Sequence, residues 1–167
     1  PVLKHIPGHG QATLDSHKSL PRVTACRDTL DVNDFAPFRE LTDLPMGMSA
    51  HIVFEAIDAS NPATTSPAMV DFIRRDIGFG GLLMSDDLSM NALSGTVAAR
   101  AAAAIGAGCD VVLHCNGKPD EIEAVASTVG SMSKIATQRS ERALAMRRPA
   151  ADVDIPALEA ELAALIE

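Results

Sequence analysis

"GGLLMSDD", residues 80–87, is three apolar residues behind two glycines, followed at once by Ser85, Asp86 and Asp87. A run this short and this apolar is a buried strand, and the polar residues mark its C-terminal end. The same grammar recurs. "CDVVLHCN" (109–116) is apolar and then polar, "PMGMSAHIVF" (45–54) is a longer run, and Val2–Ile6 is cut off by Pro7 and Gly8. The runs do not alternate, so both faces of each strand are expected to be buried.

Helical segments lie between and after them. "DVNDFAPFREL" (31–41) reads as a helix capped by Asn33 or Asp34, with Pro37 in its first turn. Ser66 and Pro67 open "PAMVDFIRRDI", which stops at Gly78. The alanine-rich 96–108 ends on glycine, 118–132 follows, and two further helices are expected over about 133–147 and 156–166, joined by the linker "RRPAADVDIP". Strand, loop and helix thus repeat four times, which implies a parallel sheet with helices outside it.

The polar residues gather where strands pass into loops: Lys4 and His5, His51, Ser85–Asp87, and His114 with Asn116. That is the active edge of a (β/α) barrel. A barrel needs eight such units over about 250 residues, so the chain is expected to be the C-terminal half, strands five to eight, of a TIM barrel. Residues 1–132 would form the half-barrel and 133–167 a helical extension of the same domain. A doubly wound open sheet is the alternative, but no G-x-G-x-x-G loop supports it.

Composition narrows the function. The 167 residues are 47% hydrophobic and 22% charged, with a net charge of −8. That balance argues against nucleic acid and against anionic membrane surfaces, and favours a small substrate. With no Trp or Tyr and five Phe, the core is expected to be aliphatic. Cys26, Cys109 and Cys115 are odd in number and lack CxxC spacing, which points to a reducing compartment, with Cys109 and Cys115 buried. The sequence contains neither a signal-peptide pattern nor a membrane-length apolar run.

Candidate chemistry follows from position. One of Asp86 and Asp87 should face the barrel centre, because successive strand residues point to opposite sides. It could serve as a nucleophile or base, or simply cap the next turn. In Asp15–Ser16–His17 a carboxylate two residues from an imidazole can fix its tautomer, or the pair is an incidental surface loop. One of Lys4 and His5 is expected to face inward. His51 and His114 are either structural or ligand contacts. A zinc site from His5, His9, His17 and an aspartate is conceivable, but its spacing matches no zinc signature.

Taken in order, "KHIPGHG" (4–10), "DSH" (15–17) with "LP" (20–21), "MSAHIVF" (48–54), "SDDLSM" (85–90) and "GAGCDVVLHCN" (106–116) closely resemble the bacterial β-N-acetylglucosaminidases of glycoside hydrolase family 3. Ile6 stands where that family usually has Phe. The resemblance implies a retaining β-N-acetylhexosaminidase with Asp86 as nucleophile, His17 as acid/base assisted by Asp15, and Lys4 and His5 on the sugar hydroxyls. It implies a substrate with N-acetylglucosamine β-linked to 1,6-anhydro-N-acetylmuramic acid, no cofactor, and a place in cytoplasmic peptidoglycan recycling. The abrupt start reads as a cut through the fifth barrel strand. The expected partner is then the missing N-terminal half or a second copy of the chain. A non-catalytic carbohydrate-binding or structural fragment is the alternative, and a metal-dependent hydrolase a third.

Overall fold

The computed structural model describes residues 1–149 and 151–166. The sequence runs β1 (Val2–Ile6), β2 (Arg22–Val23), α1 (Arg27–Asn33), α2 (Ala36–Arg39), β3 (Met46–Ser49) and β4 (Val53–Phe54), then a short 3₁₀ turn at Ala63–Thr65. It continues with α3 (Pro67–Arg75), β5 (Leu82–Asp87), α4 (Val97–Ala107), β6 (Val111–Leu113), α5 (Pro119–Val129), α6 (Lys134–Ala145) and α7 (Ile155–Leu165). One sheet has four strands in the order β1-β3-β5-β6, every neighbouring pair parallel. Strands laid side by side in sequence order, each joined to the next by a helical crossover, are the arrangement of consecutive barrel units rather than of a doubly wound sheet. Among the described residues β1 and β6 each keep one unpaired edge.

Several details depart from the sequence reading. Residues 45–54 are two strands, not one: β3 joins the main sheet, whereas β4 pairs in parallel with β2, a strand the sequence did not disclose. The chain turns between them at Ala50–Ile52, all three of whose side chains are buried. The helix expected over 31–41 is two. The first starts earlier, at Arg27, and closes on Asp34, and the second begins at Ala36. Pro37 has no N–H for the next helical bond, so α1 cannot run through it. Nor are both faces of the strands buried. In β3 burial alternates, with Gly47 and Ser49 buried and Met46 and Met48 only half-buried, and Met84 and Asp86 repeat this on β5.

The core lies between the sheet and helices α1, α3 and α4, and it is not wholly aliphatic. Phe35, Phe54, Phe72 and Phe79 are buried. Phe35 meets Phe54 edge-on with centroids 5.6 Å apart and Phe72 at 4.8 Å, and the Arg27 guanidinium lies 4.4 Å above Phe72. Gly47 is required by this packing: a Cβ there would sit 2.6 Å from the Ile6 side chain and 2.9 Å from the Phe79 ring. α3 starts as its sequence indicates, with Ser66 Oγ accepting the Met69 N–H at 3.0 Å, and it buries Met69, Val70, Phe72 and Ile73. α4 ends on Gly108 in the left-handed conformation, φ +113°. Cys109 is buried, which pushes its thiol pKa up to about 12. Cys115 is exposed, contrary to expectation.

Asp110 staples the N-terminal end of the sheet. Its buried carboxylate accepts from Arg74 of α3 at 2.7 Å, Arg139 of α6 at 2.8 Å and the Leu83 N–H at 2.9 Å. Arg74 also donates to the carbonyls of Phe79 and Gly81. α6 is thereby tied to the sheet, with Ala136 and Ala143 buried beneath it. The expected linker includes Ala150, and the expected extension reaches Glu167; both residues lie outside the described ones. α7 has no buried residue, and among the described residues no helix is long and apolar enough to cross a membrane.

Removing Asp110 leaves two guanidinium groups facing each other without a counter-charge. Asp110→Ala is expected to cost about 3–5 kcal/mol, read as a lower denaturant midpoint. Arg139→Ala, which leaves Arg74 in place, is expected to cost less.

Candidate active site

All four strands of the main sheet run the same way, so their C-terminal ends share one rim. A cavity of about 770 Å³ opens there. Lys4, His5, Asp15, His17 and Asp86 all line it. The five residues singled out in the sequence are therefore brought to one place, although the chain distance from Lys4 to Asp86 is most of a half-barrel.

β1 presents both Lys4 and His5 to the cavity, where strand alternation alone predicts one of them. The β1–β3 register shifts between Lys4 and Ile6, so Lys4 pairs with Met48 but Ile6 with Ser49. That irregularity returns Ile6 to the core while leaving the two polar residues on the rim. The Lys4–His5 and Ile6–Pro7 peptides are cis.

Asp86 and Asp87 take different parts. Asp86 is mostly shielded and faces the cavity, with Oδ2 3.7 Å from His5 Nε2 and Oδ1 accepting the Asp87 N–H at 2.9 Å. The Asp87 carboxylate turns toward β6. It accepts from the Ser89 N–H at 3.0 Å, the Ser89 hydroxyl at 2.5 Å and the Cys115 N–H at 3.0 Å. Burial works against its charge, but these donors and nearby His114 hold its pKa below the ordinary carboxylate range. Asp87 thus knits the ends of β5 and β6 together and leaves Asp86 as the carboxylate available to a ligand.

Asp15 and His17 sit on the long loop after β1. Asp15 Oδ1 accepts the His17 backbone N–H at 2.9 Å and lies 3.0 Å from His17 Nδ1. Those two bonds depress the Asp15 pKa. The His17 side chain is 78% exposed, so its Nε2 is free to meet a ligand. The loop has its own supports. Asp15 C=O accepts from Lys18 and Ser19 N–H, His9 Nε2 lies 3.3 Å from Ser16 Oγ, Gln11 donates to Asp34, and Asn91 N–H reaches His17 C=O at 3.4 Å. Gly8, at φ +149°, passes so close that a Cβ would be 3.1 Å from that of Asp34.

The histidines do not converge as ligands. Among the described residues no three His, Cys, Asp or Glu side chains are placed to hold a metal ion. His51 is fully buried behind the rim, and the largely shielded His114 side chain lies between Asp87 and Glu121, 3.3 Å from the latter. Met48, Met90 and Cys115 also line the cavity. Met48 and Met90 carry no chemical signature in the sequence, and Cys115, expected to be buried, is exposed at the cavity instead.

The chain matches the glycosyl hydrolase family 3 N terminal domain over residues 1–146. It belongs to glycosyl hydrolase family 3. A β-hexosaminidase of Alkalilimnicola ehrlichii is 44% identical over 129 residues, which are 74% of this chain and 36% of that protein. One of Aromatoleum aromaticum is 44% identical over 71% of this chain and 34% of its own length. The chain therefore spans about a third of these curated relatives. Among solved structures, Neisseria gonorrhoeae NagZ in complex with N-trifluoroacetyl-D-glucosamine superposes with a TM-score of 0.73 at 36% identity, covering 84% of this chain and 41% of that one.

Burial is the largest influence on His5 and lowers its pKa, and the Asp86 charge only partly restores it. Its ring resonances in an NMR titration are expected to move at a pH below about 6.5, the ordinary histidine value. In Asp86→Asn, which removes the charge that raises it, they should move at lower pH still. The sign for stability follows. The neutral ring is favoured in the fold, so the His5 contribution is complete above the unfolded pKa and is lost as pH falls through the depressed one.

Proposed function

We propose that this chain supplies the nucleophile and the acid/base of a retaining β-N-acetylhexosaminidase. The observation that carries the reading is the shared cavity. Asp86, the Asp15–His17 pair, Lys4 and His5 all line it, with His5 3.7 Å from Asp86 and His17 3.0 Å from Asp15.

The chemistry is a double displacement. In the first step an Asp86 oxygen forms a bond to the anomeric carbon while the glycosidic C–O bond breaks. The proton of His17 passes to the departing oxygen. Asp15 holds Nδ1 and stabilises the charged ring, leaving Nε2 to face the leaving group. In the second step His17 takes a proton from water, the water oxygen bonds to the anomeric carbon, and Asp86 leaves. Lys4 and His5 donate to sugar hydroxyls. Because His17 is exposed and its loop is polar, closure of that loop over the sugar brings the imidazole to the bond. A retaining enzyme ordinarily uses two carboxyl groups about 5–5.5 Å apart; here an imidazole takes the place of one.

The substrate we propose is N-acetylglucosamine β-linked to 1,6-anhydro-N-acetylmuramic acid, with or without peptide, met in cytoplasmic peptidoglycan recycling. Neighbours named as β-hexosaminidases and the N-trifluoroacetyl-D-glucosamine complex of NagZ support the sugar. We take residues 1–132 as the second half of the barrel and 133–167 as its helical extension. The free edges of β1 and β6 favour a complementary half-barrel as partner, contributed by the same enzyme or by a second copy.

The test is turnover of aryl and disaccharide N-acetylglucosaminides by the enzyme that carries this chain. Asp86→Ala is expected to lower kcat at least about 10⁴-fold. His17→Ala should lose about 10²–10⁴-fold with the disaccharide. With a 4-nitrophenyl leaving group, which needs no proton, it should show a burst followed by slow release. A near-wild-type Asp86→Ala rejects the assignment. Sugar binding without any turnover by the wild type would instead mark a carbohydrate-binding fragment.

A further inference from the structure

Behind the rim lies a chain of buried polar groups that the proposed reaction does not use. Ser49, His51, Thr64 and Ser85 are all fully buried. Ser49 Oγ lies 2.7 Å from Thr64 Oγ1, and Thr64 Oγ1 lies 2.9 Å from His51 Nδ1. On its other side His51 Nε2 lies 3.0 Å from the carbonyl oxygen of Asp87.

The partners dictate the tautomer. A carbonyl oxygen only accepts, so Nε2 carries the proton. Thr64 has one hydroxyl hydrogen and three acceptors within reach of it: His51 Nδ1, the Ser49 hydroxyl and the Ala50 carbonyl at 3.1 Å. If it went to Ser49 or Ala50, Nδ1 could bond the Thr64 oxygen only by being protonated as well, and a cation would be buried in the core. The charged groups near the ring are Asp86, Asp87 and Arg100, of mixed sign, and burial outweighs them and lowers the His51 pKa. The ring is therefore neutral. Thr64 donates to Nδ1, and Ser49 donates to Thr64.

The consequence reaches Asp86 through one residue. Asp87 is held at three points: its carbonyl by His51, its carboxylate by Ser89 and Cys115, and its N–H on Asp86 Oδ1. With the carbonyl and the carboxylate both held, rotation of the residue 87 backbone is restrained, and this favours an amide aimed at Oδ1. Oδ1 is thereby occupied, whereas Oδ2 faces His5 and the cavity.

We propose that His51 is a positioning residue for Asp86, and that Oδ2 is the oxygen that attacks the anomeric carbon. The proposal rests on the function given above. In the first step Oδ2 gains the C–O bond, the leaving oxygen takes the proton of His17, and Oδ1 keeps its bond to the Asp87 amide throughout. His51 exchanges no proton in either step. Its part is to keep Asp86 from turning its engaged oxygen toward the sugar, where a misplacement of about 1 Å costs about 10²-fold in rate.

The experiment uses the complete enzyme and four proteins: wild type, His51→Leu, His51→Gln and Thr64→Val. Imidazole nitrogen NMR of the wild type at pH 8 is expected to show His51 protonated on Nε2 only, with the second proton added only below the ordinary histidine value of about 6.5. His51→Leu should lose about 10²-fold in kcat with KM nearly unchanged. The loss should be equal for aryl and disaccharide substrates, because both need the nucleophile. His51→Gln, whose amide can still donate to the Asp87 carbonyl, should recover most of the rate, and Thr64→Val should fall between. An Nδ1-protonated ring at pH 8, a His51→Leu enzyme with wild-type kcat, or a Gln variant as slow as Leu at equal folded fraction overturns the proposal. A wild type that turns over no N-acetylglucosaminide overturns the functional reading itself, an outcome distinct from any His51 result.

Discussion

Parallel pairing of β1, β3, β5 and β6 in sequence order is the constraint on which everything else here depends. Parallel strands cannot be joined by tight turns, so each connection must climb back along the outside, and helices do this. The result sends every strand end of one polarity to one rim. Side chains separated by tens of residues, from Lys4 to Asn116, then line one cavity with no need for local sequence proximity.

The two ends of that sheet are secured by aspartates of opposite use. At the N-terminal end Asp110 gathers two arginines and a backbone N–H, and so ties α3 and α6 to β5 and β6. At the C-terminal end Asp87 accepts three donors and joins the ends of β5 and β6. Both are buried carboxylates that would be costly unpaired, and both are satisfied. Between them the strand carrying Asp86 is fixed at top and bottom. In the reaction we propose Asp86 needs this, because its oxygen must be placed to well within about 1 Å of the reacting carbon.

The rim itself is divided between rigid and movable parts. Asp86 stands on a strand in a shielded place, with buried His51 behind it. Asp15 and His17 stand on a loop exposed to water, joined to the segment after β5 by the hydrogen bond from Asn91 N–H to His17 C=O. In the reaction we propose the first group must not move and the second must.

Much of this was legible in the chain. Four apolar runs ending in polar residues, spaced by helices, determined the parallel half-barrel and the rim on which the site lies, because strand length and helix punctuation are local properties. The motifs around Lys4, Asp15, His17 and Asp86 likewise stood in plain order. Local reading failed where a contact far along the chain decided the outcome. The split of residues 45–54 depends on pairing with Arg22–Val23, a two-residue strand with no pattern of its own. Which of Asp86 and Asp87 is left free depends on donors from Ser89 after β5 and Cys115 after β6, and the double exposure of Lys4 and His5 on a register shift against β3. The sequence by itself determined the fold class and the residues that could react. Only the tertiary structure decided which carboxylate is free and which histidine stands behind it, because hydrogen-bond partners and burial are properties of what meets in space.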